Sequence, residues 1–442
     1  MTEKIKSKLN KDRNKIRVLR VVSRLNVGGP SIHVNNLTKK LNNDRFKTKL
    51  ITGSISPSEG DMSYIIKFSK DAHVVIRELQ REISLVHDLK ALLNIIKEIK
   101  RFNPHIIHSH TSKAGTISRI AAFICNSFRK HKIVTVHTFH GNVLNEYFSR
   151  FKSTLILWNE RLLARLTDAI IAISKTQKYE LSDVYKIAPP SKIYTIELGF
   201  DLKPFKTAYK RRGRIRKKFG ISDNEILIGI VGRMAPIKNH KMFLDAGKYF
   251  AKRQKQQTVR FLIVGDGEER QFLKDYTIQL GLMDRVIFTG WERDLPQIYA
   301  DLDILALTSL NEGTPVSIIE AMAASVPVVT TGVGGIKDLL GKIQIEQPTH
   351  KAFNICEYGI LCPKNDPVSF SNALIYMFKS GYLKDKRRFK VASDYVIKNY
   401  SIERLVGNIE SLYEDLIASK LMMRNGDRSQ GKNMLFKKGI IN

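Results

Sequence analysis

Two carboxylates and two cations are the residues best placed by type and spacing to do chemistry. Glu312 and Glu320 lie eight positions apart, and Arg233 and Lys238 follow the apolar run from Ile226 to Val231. Before the carboxylates, a buried-type strand from Asp303 to Leu307 runs into a polar turn. Thr314 reads as an N-cap and Pro315 as the first residue of the helix that follows. A helix starting at the carboxyl end of a strand offers backbone N–H groups and a positive dipole end to a phosphate. Beside a phosphate a carboxylate adds repulsion, so Glu312 and Glu320 read as acceptors for hydroxyl groups. Phosphate and hydroxyls together point to a sugar nucleotide, and two fixed cations suit its diphosphate and the charge that develops as it leaves. The alternative is an ordinary strand–turn–helix unit with solvated glutamates, because the dipole favours Glu near a helix start in any case.

Other groups sit at the ends of similar units. Gly28-Gly29 follows the strand starting at Ile16 and lets backbone approach a ligand closely, although the GxGxxG dinucleotide fingerprint is absent and a purely structural turn is the alternative. His140 falls just beyond the strand Ile133 to Phe139, where it can bind, orient or donate a hydrogen bond to a reacting oxygen; a capping or core histidine is the alternative. Lys113 lies beside a helix start and either meets a phosphate or is simply exposed. His108 and His110 share one face of a strand with no third ligand nearby in sequence, so no metal is assigned to them. Asp301-Leu302-Asp303 has DxD spelling at the start of a strand rather than its exit, and no metal is assigned there either. Trp291 follows another strand, with its main chain in reach of a nucleobase.

These residues are positioned by an alternation of strands and helices through both halves of the chain, which predicts two parallel, doubly wound α/β domains. The boundary falls near Gly199-Phe200-Asp201, where a basic run without apolar periodicity begins. The 442 residues suffice for two or three cores, and 43% hydrophobic content is globular. Formal net charge is +32, spread over both halves, which favours an anionic partner. No RRM, zinc-finger or homeodomain signature directs that charge to nucleic acid, so an anionic membrane surface is the expected partner. Three cysteines, Cys125, Cys356 and Cys362, lack metal-type spacing and are too few for a disulfide framework. Met1 to Lys15 is polar and basic, unlike a secretory signal, and no window is apolar enough to span a bilayer. Residues 146–167 read as an amphipathic helix whose aromatics and basic face suit a membrane interface, with packing on the sheet as the alternative.

Assembled, these residues resemble the retaining glycosyltransferases of family 4. The segment Glu312-Gly-Thr-Pro-Val-Ser-Ile-Ile-Glu320 matches that family's EX7E motif, with Gly232-Arg233 and Lys238 upstream, and the likeness spans roughly residues 16–420. It implies two Rossmann-like domains facing across a cleft, the GT-B arrangement. The expected layout is a basic tail at 1–15, an acceptor-side domain at 16–200, a nucleotide-sugar-binding domain at 201–395, a helix at 396–420 packing back towards the first domain, and a basic tail at 421–442. The resemblance further implies that Arg233 and Lys238 bind the donor diphosphate, Glu312 holds the donor sugar's hydroxyls and Glu320 the ribose. Backbone from Gly313 through Thr314, Pro315 and Val316 to Ser317 would support sugar and phosphate. Gly28-Gly29 looks like the family's glycine loop, and His140 like its histidine near the anomeric carbon. Lys113 and His137 are candidates for the acceptor side. The stretches 109–115 and 137–141 are similar to bacterial members that build cell-surface polysaccharides on lipid carriers.

The reaction so implied moves a hexose or N-acetylhexosamine from a nucleoside diphosphate sugar, a UDP-sugar being favoured, to a lipid-linked or saccharide acceptor. It retains anomeric configuration and needs neither metal nor cofactor. The expected location is cytoplasmic, peripheral at the inner face of the cytoplasmic membrane, with no nucleic acid partner. Two other readings compete: a sugar-nucleotide epimerase of the same fold, which needs no acceptor, and a non-enzymatic basic scaffold, for which charge at Arg212 and Arg214 would matter and Glu312 would not.

Overall fold

The computed structural model describes residues 15–26, 28–55, 60–66, 68–69, 71–80, 82–141, 150–254, 258–346 and 352–424. The chain divides into two compact units, one made of residues 1–200 and 402–442, the other of residues 201–401.

In the first unit the β-branched and aliphatic runs form strands β1 (Ile16–Val22), β2 (Phe46–Thr52), β3 (His73–Val75), β4 (Ile106–His110), β5 (Val134–Phe139), β6 (Ala169–Ala172) and β7 (Ile193–Thr195). They pair in parallel in the order β3-β2-β1-β4-β5-β6-β7. Such a sheet is covered on both faces, which is why β4 and β5 are buried along their whole length. One face carries Val18, Ile106, Val136 and Ile171; the other carries Leu19, Val21 and Ile107 under helices Leu85–Phe102 and Ser112–Ser127. Strand order reverses between β1 and β4, and a doubly wound sheet binds ligands at the carboxyl ends of strands flanking that reversal.

The helix Ile402–Arg424 belongs to this unit. Ile402, Leu405, Ile409, Leu412 and Leu416 recur at helical spacing and are buried against the Val18 face. The break that the sequence marks at Tyr400-Ser401 is present: Lys386–Asn399 stays with the second unit, Tyr400 ends it with φ −126° and ψ 19°, and the helix of the first unit starts at Ile402.

The second unit repeats the plan with β8 (Ile226–Val231), β9 (Val259–Val264), β10 (Val286–Gly290), β11 (Ile304–Leu307), β12 (Val328–Thr331), β13 (Ile343–Glu346), β14 (Asn354–Cys356) and β15 (Ile360–Cys362). Their order is β10-β9-β8-β11-β12-β15-β14-β13, parallel from β10 to β15, with β14 and β13 added antiparallel at the edge. Here the reversal lies between β8 and β11.

The basic run after residue 201 is not a solvated linker. It folds into short helices that include Lys203–Lys206 and Arg214–Phe219, and Arg216 is buried with its guanidinium 2.8 Å from Asp303. Asp301 accepts the backbone N–H groups of Gly213, Ile215 and Arg216, and Asp303 accepts that of Leu227. The DxD pair is therefore spent on capping and charge balance.

Candidate functional site

In the second unit the reversal between β8 and β11 brings the EX7E motif beside Arg233 and Lys238. Lys238 closes a 3₁₀ turn, Pro236–Lys238, and Asn239 then adopts a left-handed φ of 49° and accepts the Met242 N–H to start helix His240–Arg253. Three bonds tie the loops at this edge together. Thr308 Oγ1 donates to the Asn239 carbonyl at 2.9 Å, Leu310 N–H to the Ile237 carbonyl at 2.8 Å, and Thr331 Oγ1 to the Ser309 carbonyl at 2.6 Å. Gly334 completes the frame with φ 52°; a Cβ there would lie 1.9 Å from the Glu312 carbonyl oxygen, so only glycine lets the loop after β12 pass. The result holds Glu312 in place. Its Oε1 takes the Lys238 ammonium and the Ser309 hydroxyl, the latter at 2.7 Å.

The helix after the motif is Val316–Ala323, one residue later than its sequence suggests. Pro315, extended at φ −72° and ψ 121°, takes the cap position, and Thr314 is drawn inward and buried instead of capping. The Val316 and Ser317 end of this helix faces the loop side of the sheet, as an anion site requires. Glu320 lies one turn further along, only 7% exposed, and accepts the Tyr299 hydroxyl at 2.9 Å. Burial pushes its carboxyl up to about 8, against the lowering effect of the Tyr299 bond. The Tyr299 phenol is itself driven well up, first by burial and then by Glu320. Arg233 is partly exposed in a loose pair with Glu268 at 3.9 Å, of little energetic weight. Trp291 stands just past β10 with its side chain exposed.

In the first unit the reversal between β1 and β4 gathers histidines. Gly28 precedes helix Gly29–Lys40, and a Cβ on it would meet nothing closer than Pro30 Cδ at 3.7 Å. The protein's own packing thus leaves that side of the loop open. His110 ends β4, His140 follows β5, and His33 comes from the second turn of helix Gly29–Lys40. One ring nitrogen of each lies within 4.8 Å of the others. His110 Nδ1 and His140 Nε2 share a hydrogen bond of 2.9 Å, and the His33 ring meets the His140 ring edge-on at 5.0 Å. Burial pushes His140 down to about 4 and holds His33, His108 and His110 well below the ordinary imidazole range, so all four are neutral at physiological pH. Behind them His108 bridges the Tyr413 hydroxyl at 2.6 Å and the Thr138 hydroxyl at 2.7 Å, and Tyr413 accepts from the buried Arg20.

Reading the sequence alone missed this grouping, since it found no third ligand near His108 and His110. His33 lies buried one turn into helix Gly29–Lys40, far from the others in sequence, and parallel pairing brings in His140 from beyond a neighbouring strand. Neutral imidazoles can ligate a borderline-soft divalent ion. The 2.9 Å His110–His140 contact, however, is a hydrogen bond, closer than the roughly 3.4 Å between two nitrogens on one tetrahedral ion.

Two candidates for the acceptor side are placed elsewhere by the structure. His137 points to the opposite face of the sheet from His108, is buried, and bonds Ser109 Oγ at 2.9 Å; a Cβ on Gly115 would fall 2.5 Å from its ring, so it packs as a core residue under helix Ser112–Ser127. Lys113 pairs with Asp88 at 2.6 Å and also donates to the Glu82 carbonyl, which ties it to helix Leu85–Phe102 and the segment before it. Of the amphipathic helix expected at 146–167, the part at 146–149 lies outside the described residues; Arg150–Arg165 is helical.

Two parallel-sheet units, each with its reactive residues at the strand-order reversal, define the GT-B class. A family model for "Glycosyl transferases group 1" matches residues 225–380, and one for "Glycosyltransferase Family 4" matches residues 27–203. The chain is 30% identical over 343 residues to the UDP-Gal:alpha-D-GlcNAc-diphosphoundecaprenol alpha-1,3-galactosyltransferase of Escherichia coli, covering 77% of this chain and 83% of that one. It is 26% identical over 314 residues to the capsular polysaccharide biosynthesis glycosyltransferase CapM of Staphylococcus aureus, covering 66% and 80%. Among solved structures, Anabaena HepE in complex with UDP and glucose matches with a TM-score of 0.70 at 21% identity over 90% of this chain and 99% of that one. The sucrose-phosphate synthase of Thermosynechococcus elongatus matches with a TM-score of 0.75 at 19% identity over 92% and 100%. The chain belongs to the family 4 glycosyltransferases.

Proposed function

We propose that the protein transfers a hexose or N-acetylhexosamine from a UDP-sugar to a lipid-linked saccharide acceptor in bacterial surface polysaccharide synthesis. The transfer retains anomeric configuration, needs no metal, and takes place on the inner face of the cytoplasmic membrane. The observation that carries this reading is the meeting of Lys238 and Glu312 at the adjoining carboxyl ends of β8 and β11, eight residues before the buried Glu320. The Escherichia coli relative's name supplies the substrate classes: a UDP-sugar donor and a diphosphate-lipid acceptor.

In the reaction the bond between the anomeric carbon and the diphosphate oxygen breaks, and its electron pair leaves with the diphosphate. Arg233, Lys238 and the N-terminus of helix Val316–Ala323 supply positive charge where that negative charge grows. These are the chain's own cations, which is the ground for expecting metal-independent turnover. Glu312 takes hydroxyls of the sugar and Glu320 those of the ribose. The acceptor hydroxyl adds to the face the diphosphate leaves, its proton passing to the departing phosphate oxygen, and neutral His140 is assigned to hydrogen-bond the reacting sugar.

The test measures nucleotide release from UDP-, GDP- and ADP-sugars, with and without bacterial lipid extract, in the presence and absence of a chelator. Lipid-stimulated, chelator-resistant release of UDP, abolished in Glu312→Ala, is expected. Release from no donor, together with no binding of any sugar nucleotide, would overturn the reading, and a trapped covalent sugar–enzyme adduct would overturn its retaining mechanism.

A further inference from the structure

Three helices of the first unit, Leu85–Phe102, Ser112–Ser127 and Arg150–Arg165, form one layer over β1, β4 and β5. The middle helix is tied to the last by the Arg119–Glu160 pair at 2.8 Å and by Asn159 Nδ2 donating to Thr116 Oγ1 at 3.3 Å. The inner faces of the first two supply core residues such as Ala91, Ile95, Ile99, Ile117 and Ala121. Their outer faces ought then to be polar.

They are not. On the first helix Leu85, Leu89 and Leu93, at i, i+4 and i+8, are 86%, 58% and 58% exposed. On the second Phe123 is 55% exposed, and on the third Trp158 and Leu162 are 66% and 58% exposed. Scattered exposed apolar side chains are ordinary, but a leucine stripe on one helix, with exposed Phe123, Trp158 and Leu162 on the two helices beside it, is not.

The charge on this layer is one-sided. Its helices carry three acids, and each is withdrawn into a pair: Asp88 with Lys113 at 2.6 Å, Glu98 with Lys49 at 2.6 Å, and Glu160 with Arg119. Lys90, Lys97, Lys100, Arg101 and Arg165 face solvent. An apolar stripe on helices whose fully exposed charges are cations, with Glu82 the exposed acid just ahead of Leu85 and a tryptophan among the apolar groups, has the composition of helices lying at the boundary of headgroups and acyl chains. Among the described residues no helix is long and apolar enough to cross a membrane.

We infer that this outer face docks on the surface of an anionic lipid bilayer, with the three helices lying in the plane of the headgroups. The inference deepens the membrane part of the function proposed above, and it specifies the surface: exposed leucines of residues 85–93 and Trp158 enter the acyl boundary while the flanking lysines and arginines meet lipid phosphates. A second copy of the chain is the competing occupant, and the excess of positive charge disfavours it, because two such faces would repel.

The test uses the full chain and no substrate, so failure to find turnover leaves it intact. Flotation with vesicles of phosphatidylglycerol and phosphatidylcholine is compared with phosphatidylcholine alone. The chain is expected to float with anionic vesicles and to be released by salt. The double variant Leu89→Glu/Leu93→Glu, and separately Lys97→Glu/Arg101→Glu, should weaken binding by about tenfold or more, with wild-type circular dichroism because the residues are solvent-exposed. Phe272→Glu/Ile278→Glu, exposed in the second unit, should bind like wild type. The chain has two tryptophans, so Trp291→Phe leaves Trp158 as sole reporter, whose emission should shift to the blue on anionic vesicles. Absence of flotation, unchanged flotation in both double variants, or an unshifted Trp158 would overturn the inference. So would a concentration-dependent dimer in light scattering that Leu89→Glu/Leu93→Glu dissociates.

Discussion

Tyr299 donates its hydroxyl to Glu320 at 2.9 Å, and neither side chain reaches solvent to any useful extent. The carboxyl is held protonated up to about 8 by burial, while in the unfolded chain it ionises near its ordinary value of 4.5. Between these values the folded protein holds a proton the unfolded chain has lost, so this group makes stability fall as pH rises. The contribution is fully present below about 4.5 and lost through about 8, a swing on the order of 5 kcal/mol. Thermal unfolding from pH 4.5 to 8.5 should show Glu320→Gln becoming progressively more stable relative to wild type, since the amide cannot ionise. A constant difference across that range would show that Glu320 is not protonated in the fold.

Lys238 and Glu312 neutralise each other at the carboxyl ends of β8 and β11, with Ser309 as third member. Removing either frees the other, so their effects should not add. Glu312→Ala and Lys238→Ala are each expected to lower kcat/KM by about 10²–10³-fold, and the double variant by much less than the product. Steady-state UDP release from all four proteins gives the coupling directly; strict additivity would mean that the pair does not act as a unit.

The grouping of Lys238 with Glu312 was readable in the sequence because it is local to two strand ends. Arg233, Lys238 and Glu312 lie two to seven residues past the ends of β8 and β11, Glu320 follows in the helix after β11, and apolar runs locate strand ends well. What could not be read is what depends on pairing order. His33, His110 and His140 come from three separate segments and meet only because β1, β4 and β5 are neighbours. His137 and His140 differ by three positions and were read as two ligand-side groups, yet the period-two geometry of β5 sends His137 into the opposite face. The basic run at 210–218 reads only as a stretch without apolar periodicity beside the domain boundary, because Arg216 carries the charge of a surface residue and its burial depends on Asp303, 87 positions away.

The His110–His140 hydrogen bond fixes which nitrogen of His140 is left for a ligand. His140 loses its proton only near 4, because its ring is desolvated. The acid limb of kcat/KM should therefore fall below about 5, with no inflection at the ordinary histidine value near 6.5. His110→Gln should lower kcat more than it changes KM, as the ring turns away from its productive position without loss of donor contacts. A pH–rate profile with a limb at 6.5 in the wild type would show His140 hydrated and its ring unrestrained.

Asp303 has the spelling of a metal ligand and the surroundings of a structural one. Its carboxylate lies 2.8 Å from the buried Arg216 guanidinium and accepts the Leu227 N–H at the start of β8. Removing it strands a buried cation, which costs about 3–5 kcal/mol. Asp303→Ala should thus lower the unfolding temperature sharply, and added Mn²⁺ or Mg²⁺ should not restore it. Replacing the pair together, Asp303→Leu with Arg216→Met, should recover much of the loss, because an apolar pair of similar volume needs no desolvation of charge. If Asp303→Ala instead kept its wild-type melting temperature and lost divalent-dependent UDP release, the carboxylate would be a metal ligand and the proposal of metal-independent chemistry would fall with it.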